Sequence, residues 1–130
     1  MLREGLFSRA AEIGGVLSAE LRKLAVRHEF IGDVRGRGLL YGIEFVADRA
    51  TRRPFDKALG VSRQIVGGMR ARGVIIAQAV IAGNGSLGSD QIQISPPFTI
   101  TDAEIATLVG ALDEVLAEIG PRVRQGRSNA

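Results

Sequence analysis

An α+β fold, a small mostly antiparallel sheet with helices packed on one face, is what the patterning of this chain predicts. Three observations carry that prediction. Two long stretches, from about Arg3 to His28 and from Thr101 to Ile119, repeat apolar residues at spacings of three and four. Between them lie short runs that alternate apolar and polar residues, as strands do. The last two of those runs are joined by AGNGSLGSD, Ala82 to Asp90, a tight Gly-rich connection that favours antiparallel pairing.

The first helix places Leu6, Ala10, Ile13, Leu17, Leu21 and Leu24 on one face. Arg9, Glu12, Glu20, Arg22 and Lys23 fall between them on the solvated side, and Phe7 and Val16 are left over as apolar residues off the stripe. Gly14-Gly15 weakens the helix by about 1 kcal/mol per glycine relative to alanine, so a kink or a close helix contact is expected there. His28 suits the helix C-terminus, where a cation meets the negative end of the dipole. Ile31 to Arg37 reads as a turn and a short extended piece. Gly36 and Gly38 bracket Arg37 and lead into a strand, Leu39 to Val46. Leu39, Tyr41, Ile43 and Phe45 take one face of it; Leu40, Gly42, Glu44 and Val46 take the other. Both sets are largely apolar, which predicts cover on both faces, with Glu44 near an edge or a partner.

DRATRRPFD, Asp48 to Asp56, is polar and predicts a surface loop. Asp56 is the expected N-cap of a helix from about Lys57 to Arg72, with Ala58, Val61, Ile65 and Met69 inward and Gly73 as its stop. Val74 to Gln78 and Gln91 to Ser95 read as strands. In the second, Ile92 and Ile94 oppose Gln91, Gln93 and Ser95. Pro96-Pro97 removes two donors, so that strand must end there. Thr101 and Glu104 form a capping box, and Ile105, Leu108, Leu112, Val115, Leu116 and Ile119 make the stripe of the last helix. Gly120-Pro121 is its expected end, ahead of a frayed basic tail, 121–130.

Composition excludes several classes of function. The 130 residues suit one domain, and 45% hydrophobic content is too high for a disordered chain. Without cysteine there is neither a disulfide framework nor a thiolate metal site, and His28 alone makes no histidine cluster or Ser-His triad, so no metal is expected. The net charge of +3 is carried by dispersed arginines with few aromatics, which argues against nucleic acid as a partner. No apolar run is long enough to span a membrane, and MLREGLFSRAAEIGG has no signal-like apolar core. A cytoplasmic protein is the expectation.

Two segments carry a family likeness: DVRGRGLLYGIEFVADRATRRPF from Asp33 to Phe55, and QIQISPPFTITDAEI from Gln91 to Ile105. In order and wording they resemble the C-terminal small domain of class III aminotransferases, pyridoxal-phosphate enzymes of fold type I. The resemblance spans about residues 1–120, with 1–28 as the helix leading into the domain. It implies the small-domain fold of that class. It also implies a complete enzyme, a homodimer, that moves an amino group between an amine or amino acid and an α-keto acid with pyridoxal 5'-phosphate as cofactor.

Such chemistry needs a lysine amine for the Schiff base. The chain has two lysines, Lys23 among charged residues on a helix and Lys57 after a polar loop, and neither matches the family's cofactor setting. The Schiff-base lysine and the phosphate-binding segments are therefore absent, no residue here is assigned as catalytic, and no cofactor is expected on this chain alone. A missing large domain, or a split-gene partner, would supply them. The alternative is a standalone, non-catalytic interaction or oligomerisation module derived from the domain.

On the substrate side, the resemblance points to Gln93. In family members acting on ordinary amino acids that position is commonly an arginine, whose planar fork clamps a carboxylate. In amine-type members the preceding loop supplies the arginine, but Ala79 to Asp90 holds neither arginine nor lysine. Arg37, in the VRGxG lead to the first long strand, is the second substrate-side candidate, and Arg35 faces either its own chain or a neighbouring domain. Gly36-Arg37-Gly38 is not a phosphate cradle, since it opens a strand and lacks a third glycine.

Overall fold

Seven elements follow one another in the computed structural model, which describes residues 2–56, 59–78, 90–97 and 99–128, with side chains except at 2–4, 6, 7 and 124–128. They are α1 (Leu2–Arg27), β1 (Ile31–Arg37), β2 (Leu40–Phe45), α2 (Val61–Ala71), β3 (Ala77–Gln78), β4 (Asp90–Ile94) and α3 (Asp102–Ser128). The strands make one antiparallel sheet in the order β1-β2-β4-β3. The α+β expectation holds.

Directly opposed residues share a face, so the register defines two sides. One carries Val34, Tyr41, Ile43, Phe45, Ile92 and Ile94, all buried. The helices lie on this side. The Tyr41 hydroxyl donates to the Gly14 carbonyl of α1 at 3.2 Å. Gln78, opposite Ile92, donates to the Ser62 hydroxyl of α2 at 3.0 Å. Helix α3 packs across α1 and α2, with Ile105, Leu112, Val115, Leu116 and Ile119 in the core and Leu108 half-buried. Its ties include Arg72 at the end of α2, which pairs with Glu114 and Glu118, and His28, whose Nε2 lies 2.7 Å from Asp113.

Several boundaries differ from expectation, each for a physical reason. Ile31–Arg37 is a full strand, because its backbone pairs with β2 as a hairpin closed by Gly38 at φ 60°. Of the glycine pair in α1, Gly14 serves close approach, to that hairpin turn rather than to a helix, since a Cβ on it would strike the Gly38 carbonyl, while Gly15 faces open space. Of the two alternatives for Glu44, the structure gives the partner and not the edge: it lies on an interior strand and meets Arg35 and Gln91. After the buried Val46 and Ala47, the loop from Asp48 to Asp56 is half-buried at Asp48 and exposed beyond it except at Phe55, which packs on Phe30 and is buried. Helix α2 starts at Val61, because Gly60 is left-handed at φ 57° and a right-handed helix cannot run through it; Lys57 and Ala58 lie outside the described residues. Gly73 at φ 79° stops α2 as expected. Strand β3 is Ala77–Gln78, paired with Gln93 and Ile92 of β4, and the residues from 79 to 89 lie outside the described residues. Helix α3 continues through Pro121 instead of ending at Gly120, held on its far side by buried Val123.

Candidate functional site

The second face of the sheet is the site's foundation. Across it run Arg35, Gly42, Gln93 and Ala77, one from each strand in register. Beside that row lie Asp33, Glu44 and Gln91. On the other side, Arg37 faces Leu40, and alternation from Gln93 and Ala77 puts Ser95 and Ile75 on the same face. Cover on both faces of β2 is thus not found: Leu40 is 55% exposed.

The two ends of this face differ in chemistry. At the β1 end, Arg35 pairs with Asp33 at 3.0 Å and Glu44 at 3.2 Å, and Gln91 donates to Glu44 at 3.3 Å. These charges satisfy one another. At the β3 end, an open groove of about 450 Å³ runs beside the Ser95-Pro96-Pro97 turn. Ile75, Ala77, Gln93 and Ser95 line it from this face and Ile94 and Leu108 from the helical side, so the groove wraps the end of the sheet, and none of its lining residues is charged. Gln93 is exposed and is one of two side chains with a polar group there, the other being Ser95.

Gln93 is exposed two positions ahead of Ser95 and lines the groove beside the Pro-Pro turn. The structure does not bring Arg37 to it. Arg37 is exposed at the end of β1, with β2 between it and β4, and forms no ion pair among the described residues. Ser95 is exposed, and His28 is held by Asp113 on the helical side, so the two do not meet. The loop expected to lack a cation, Ala79 to Asp90, lies outside the described residues except for Asp90.

The described residues do not fit a pyridoxal-phosphate site. Lys23 is on the surface of α1, its side chain 70% exposed and paired with Glu20 at 3.0 Å. Lys57 lies outside the described residues. An amine that holds the cofactor must project into a cleft, and Lys23 does not.

Sequence reasoning missed the wall around Gln93. Leu40, Gly42, Ile75 and Ala77 share its face, and the parity signal was present in the alternation of both strands. What was absent was the cross-strand register that sets them side by side.

Comparison with known proteins gives this geometry a context. The family described as aminotransferase class-III matches residues 1–116. An uncharacterized aminotransferase of Bacillus subtilis (strain 168), YodT, is 36% identical over 125 residues, covering 96% of this chain and 28% of that protein. The taurine–pyruvate aminotransferase of Rhodobacter capsulatus is 37% identical over 118 residues, 89% of this chain and 24% of that protein. Among solved structures, a transaminase from the marine bacterium Virgibacillus superposes with a TM-score of 0.82 at 27% identity, covering 92% of this chain and 26% of that one. An amine transaminase from an uncultivated Pseudomonas species, solved in its PLP-bound form, gives 0.75 at 34% identity, over 91% and 24%. The chain spans about a quarter of the length of the relatives it matches. It belongs to the class III aminotransferases.

Proposed function

We propose that this chain is the C-terminal small-domain portion of a cytoplasmic, homodimeric, pyridoxal-phosphate-dependent aminotransferase. In that reading it builds one wall of the substrate site and does not transaminate alone. The observation that carries this is Gln93, exposed beside the Pro96-Pro97 turn on an uncharged groove, in a chain a quarter as long as its relatives. The cofactor, where the rest of the enzyme holds it, supplies the electron sink for amino transfer. This chain's residues contribute shape and polarity. The apolar rim excludes water from one side of the substrate, and the Gln93 amide offers a neutral hydrogen-bonding group where a guanidinium would read a carboxylate. Amines and weakly polar amino donors fit such a wall better than dicarboxylates do.

The test is a graft. This chain replaces the matched quarter of the Rhodobacter taurine–pyruvate aminotransferase, and amino transfer from a panel of amines and amino acids to pyruvate is measured. The graft is expected to bind cofactor and transaminate. A graft that folds but loads no cofactor would contradict the reading. Within an active graft, Gln93→Arg is expected to raise kcat/KM for carboxylate-bearing donors by about tenfold, the worth of one charge-assisted hydrogen bond. Unchanged relative specificity would remove Gln93 from the substrate wall. The rival reading, a standalone interaction module, draws on the exposed Leu40 and Ile75. It predicts a stable chain that adds nothing to a grafted enzyme.

A further inference from the structure

A buried serine links helix α2 to the edge of the sheet. Ser62 is 2% exposed, and its hydroxyl is engaged both as donor and as acceptor. It donates to Asp90 of β4 at 2.9 Å and accepts from the Gln78 side chain of β3 at 3.0 Å. The three groups form a directed chain, amide to hydroxyl to carboxylate, and the Asp90 charge fixes its direction, since a carboxylate only accepts. The Ser62 backbone amide also donates to Asp90, at 3.1 Å, so the cap of α2 and the link to β3 share one carboxylate oxygen. Only the link passes through the hydroxyl.

Strand β3 has little else to hold it. It is an edge strand, paired to β4 through Ala77 opposite Gln93 and Gln78 opposite Ile92. Of residues 75–78, Ile76 alone is buried. A short ladder of exposed residues opens easily. Gln78 points to the helical side, where it ties β3 to α2. Its neighbour Ala77 takes the other side of the strand, and Ile75 and Ala77 line the groove beside Gln93. Whatever fixes Gln78 therefore fixes the spacing between that pair and Gln93.

Resting on the reading of this groove as the substrate wall, we propose that Ser62 is a positioning residue for the amino donor: through Gln78 it holds β3 against β4 and sets the width of the wall on which the donor binds. Ser62 touches no substrate and acts from behind the sheet. A held strand gives the groove one width, and a frayed one grips the donor less well without changing the groups that react. The consequence falls on binding and not on the chemical step.

The test separates the link from the cap. Ser62→Ala removes the hydroxyl but keeps the backbone amide that Asp90 caps, and Gln78→Met removes the same link from its other end with a side chain of similar length. In the 130-residue chain, each should speed hydrogen exchange across the β3–β4 ladder about fivefold, matching one neutral hydrogen bond, while the amide at position 62 stays protected. The double variant should exchange no faster than the faster single one, since both substitutions remove one interaction. In the grafted enzyme, each should raise the donor KM about fivefold and leave kcat within about twofold of the parent. Additive effects in the double variant would overturn the proposal, because Ser62 and Gln78 would then act separately. Faster exchange with an unchanged donor KM in an active graft would also overturn it, leaving the functional reading standing. A loss of kcat at constant KM would do the same, since the fault would lie in the reacting geometry. If the unmutated graft loads no cofactor while the exchange results hold, the functional reading fails and the positioning role fails with it.

Discussion

Helices α2 and α3 lie against each other but begin in opposite ways. At the start of α3 the cap is local: the Thr101 hydroxyl accepts from the Glu104 amide at 3.1 Å, and the Glu104 carboxylate accepts from the Thr101 amide at 3.1 Å. At the start of α2, Gly60 offers no side chain, and the Ser62 amide instead donates to Asp90, on β4, at 3.1 Å. The same carboxylate oxygen accepts the Ser62 hydroxyl at 2.9 Å, and Gln78 from β3 donates to that hydroxyl. One helix is capped by its own sequence, the other by a strand that arrives 28 residues later. The difference teaches that α2 is defined only once the sheet exists, whereas α3 carries its own starting signal.

If that contrast lies in the starts alone, the packing of the two helices should be equivalent. Ile65 of α2 and Leu112 of α3 are both fully buried. Truncating either to alanine is expected to cost about 3 kcal/mol in denaturant unfolding, by lost transfer energy plus a cavity. A cost below about 1 kcal/mol for Ile65 alone would show that α2 is loosely packed as well as remotely capped.

The caps themselves come next. Asp90→Ala removes the acceptor of a buried hydroxyl and of a helix amide, and is expected to cost about 2 kcal/mol. Thr101→Ala, at an exposed position, should cost about 1 kcal/mol. Hydrogen exchange separates the mechanisms. Asp90→Ala should deprotect the Ser62 amide, with α3 unaffected, while Thr101→Ala should act on the first turn of α3 only. Equal effects at both helices would erase the contrast.

The smallest effect concerns a local carboxylate. Asp48 accepts the Ala50 amide at 2.9 Å, and that hydrogen bond, against a small cost of burial and with help from Thr51 and Arg53, holds its pKa below the ordinary 3.8. A group depressed on folding contributes stability above its unfolded pKa and loses it as pH falls through the folded value. Asp48→Asn should therefore flatten the pH dependence below about pH 4, with a slight loss of stability at pH 7 that shrinks toward pH 3, where the parent carboxyl is itself neutral. A loss as large at pH 3 as at pH 7 would contradict this.

The same local-against-remote rule explains what was legible beforehand. The capping box, the Gly73 stop, the parity of Ile92 and Ile94 against Gln93, and the break at Pro96-Pro97 all depend on residues within a few positions. Each appears where the sequence predicts it. Strand β1 was missed because its evidence is the backbone of β2. Phe55 looked like part of a polar loop because the ring that holds it, Phe30, is distant in sequence. The end of α3 was misplaced because Val123 anchors the helix beyond a proline that on local grounds should stop it. At the candidate site, Gln93 was visible through a motif. The wall beside it became visible only with the register.

The central claim is that this chain is a partial aminotransferase whose lysines do not hold the cofactor. Its most direct test is to incubate the pure chain with pyridoxal phosphate, fix any adduct with borohydride and map it by peptide mass. Scattered substoichiometric labelling of lysines and the N-terminus is the predicted result. A one-to-one adduct at Lys23 or Lys57, accompanied by amino transfer to a keto acid, would contradict it.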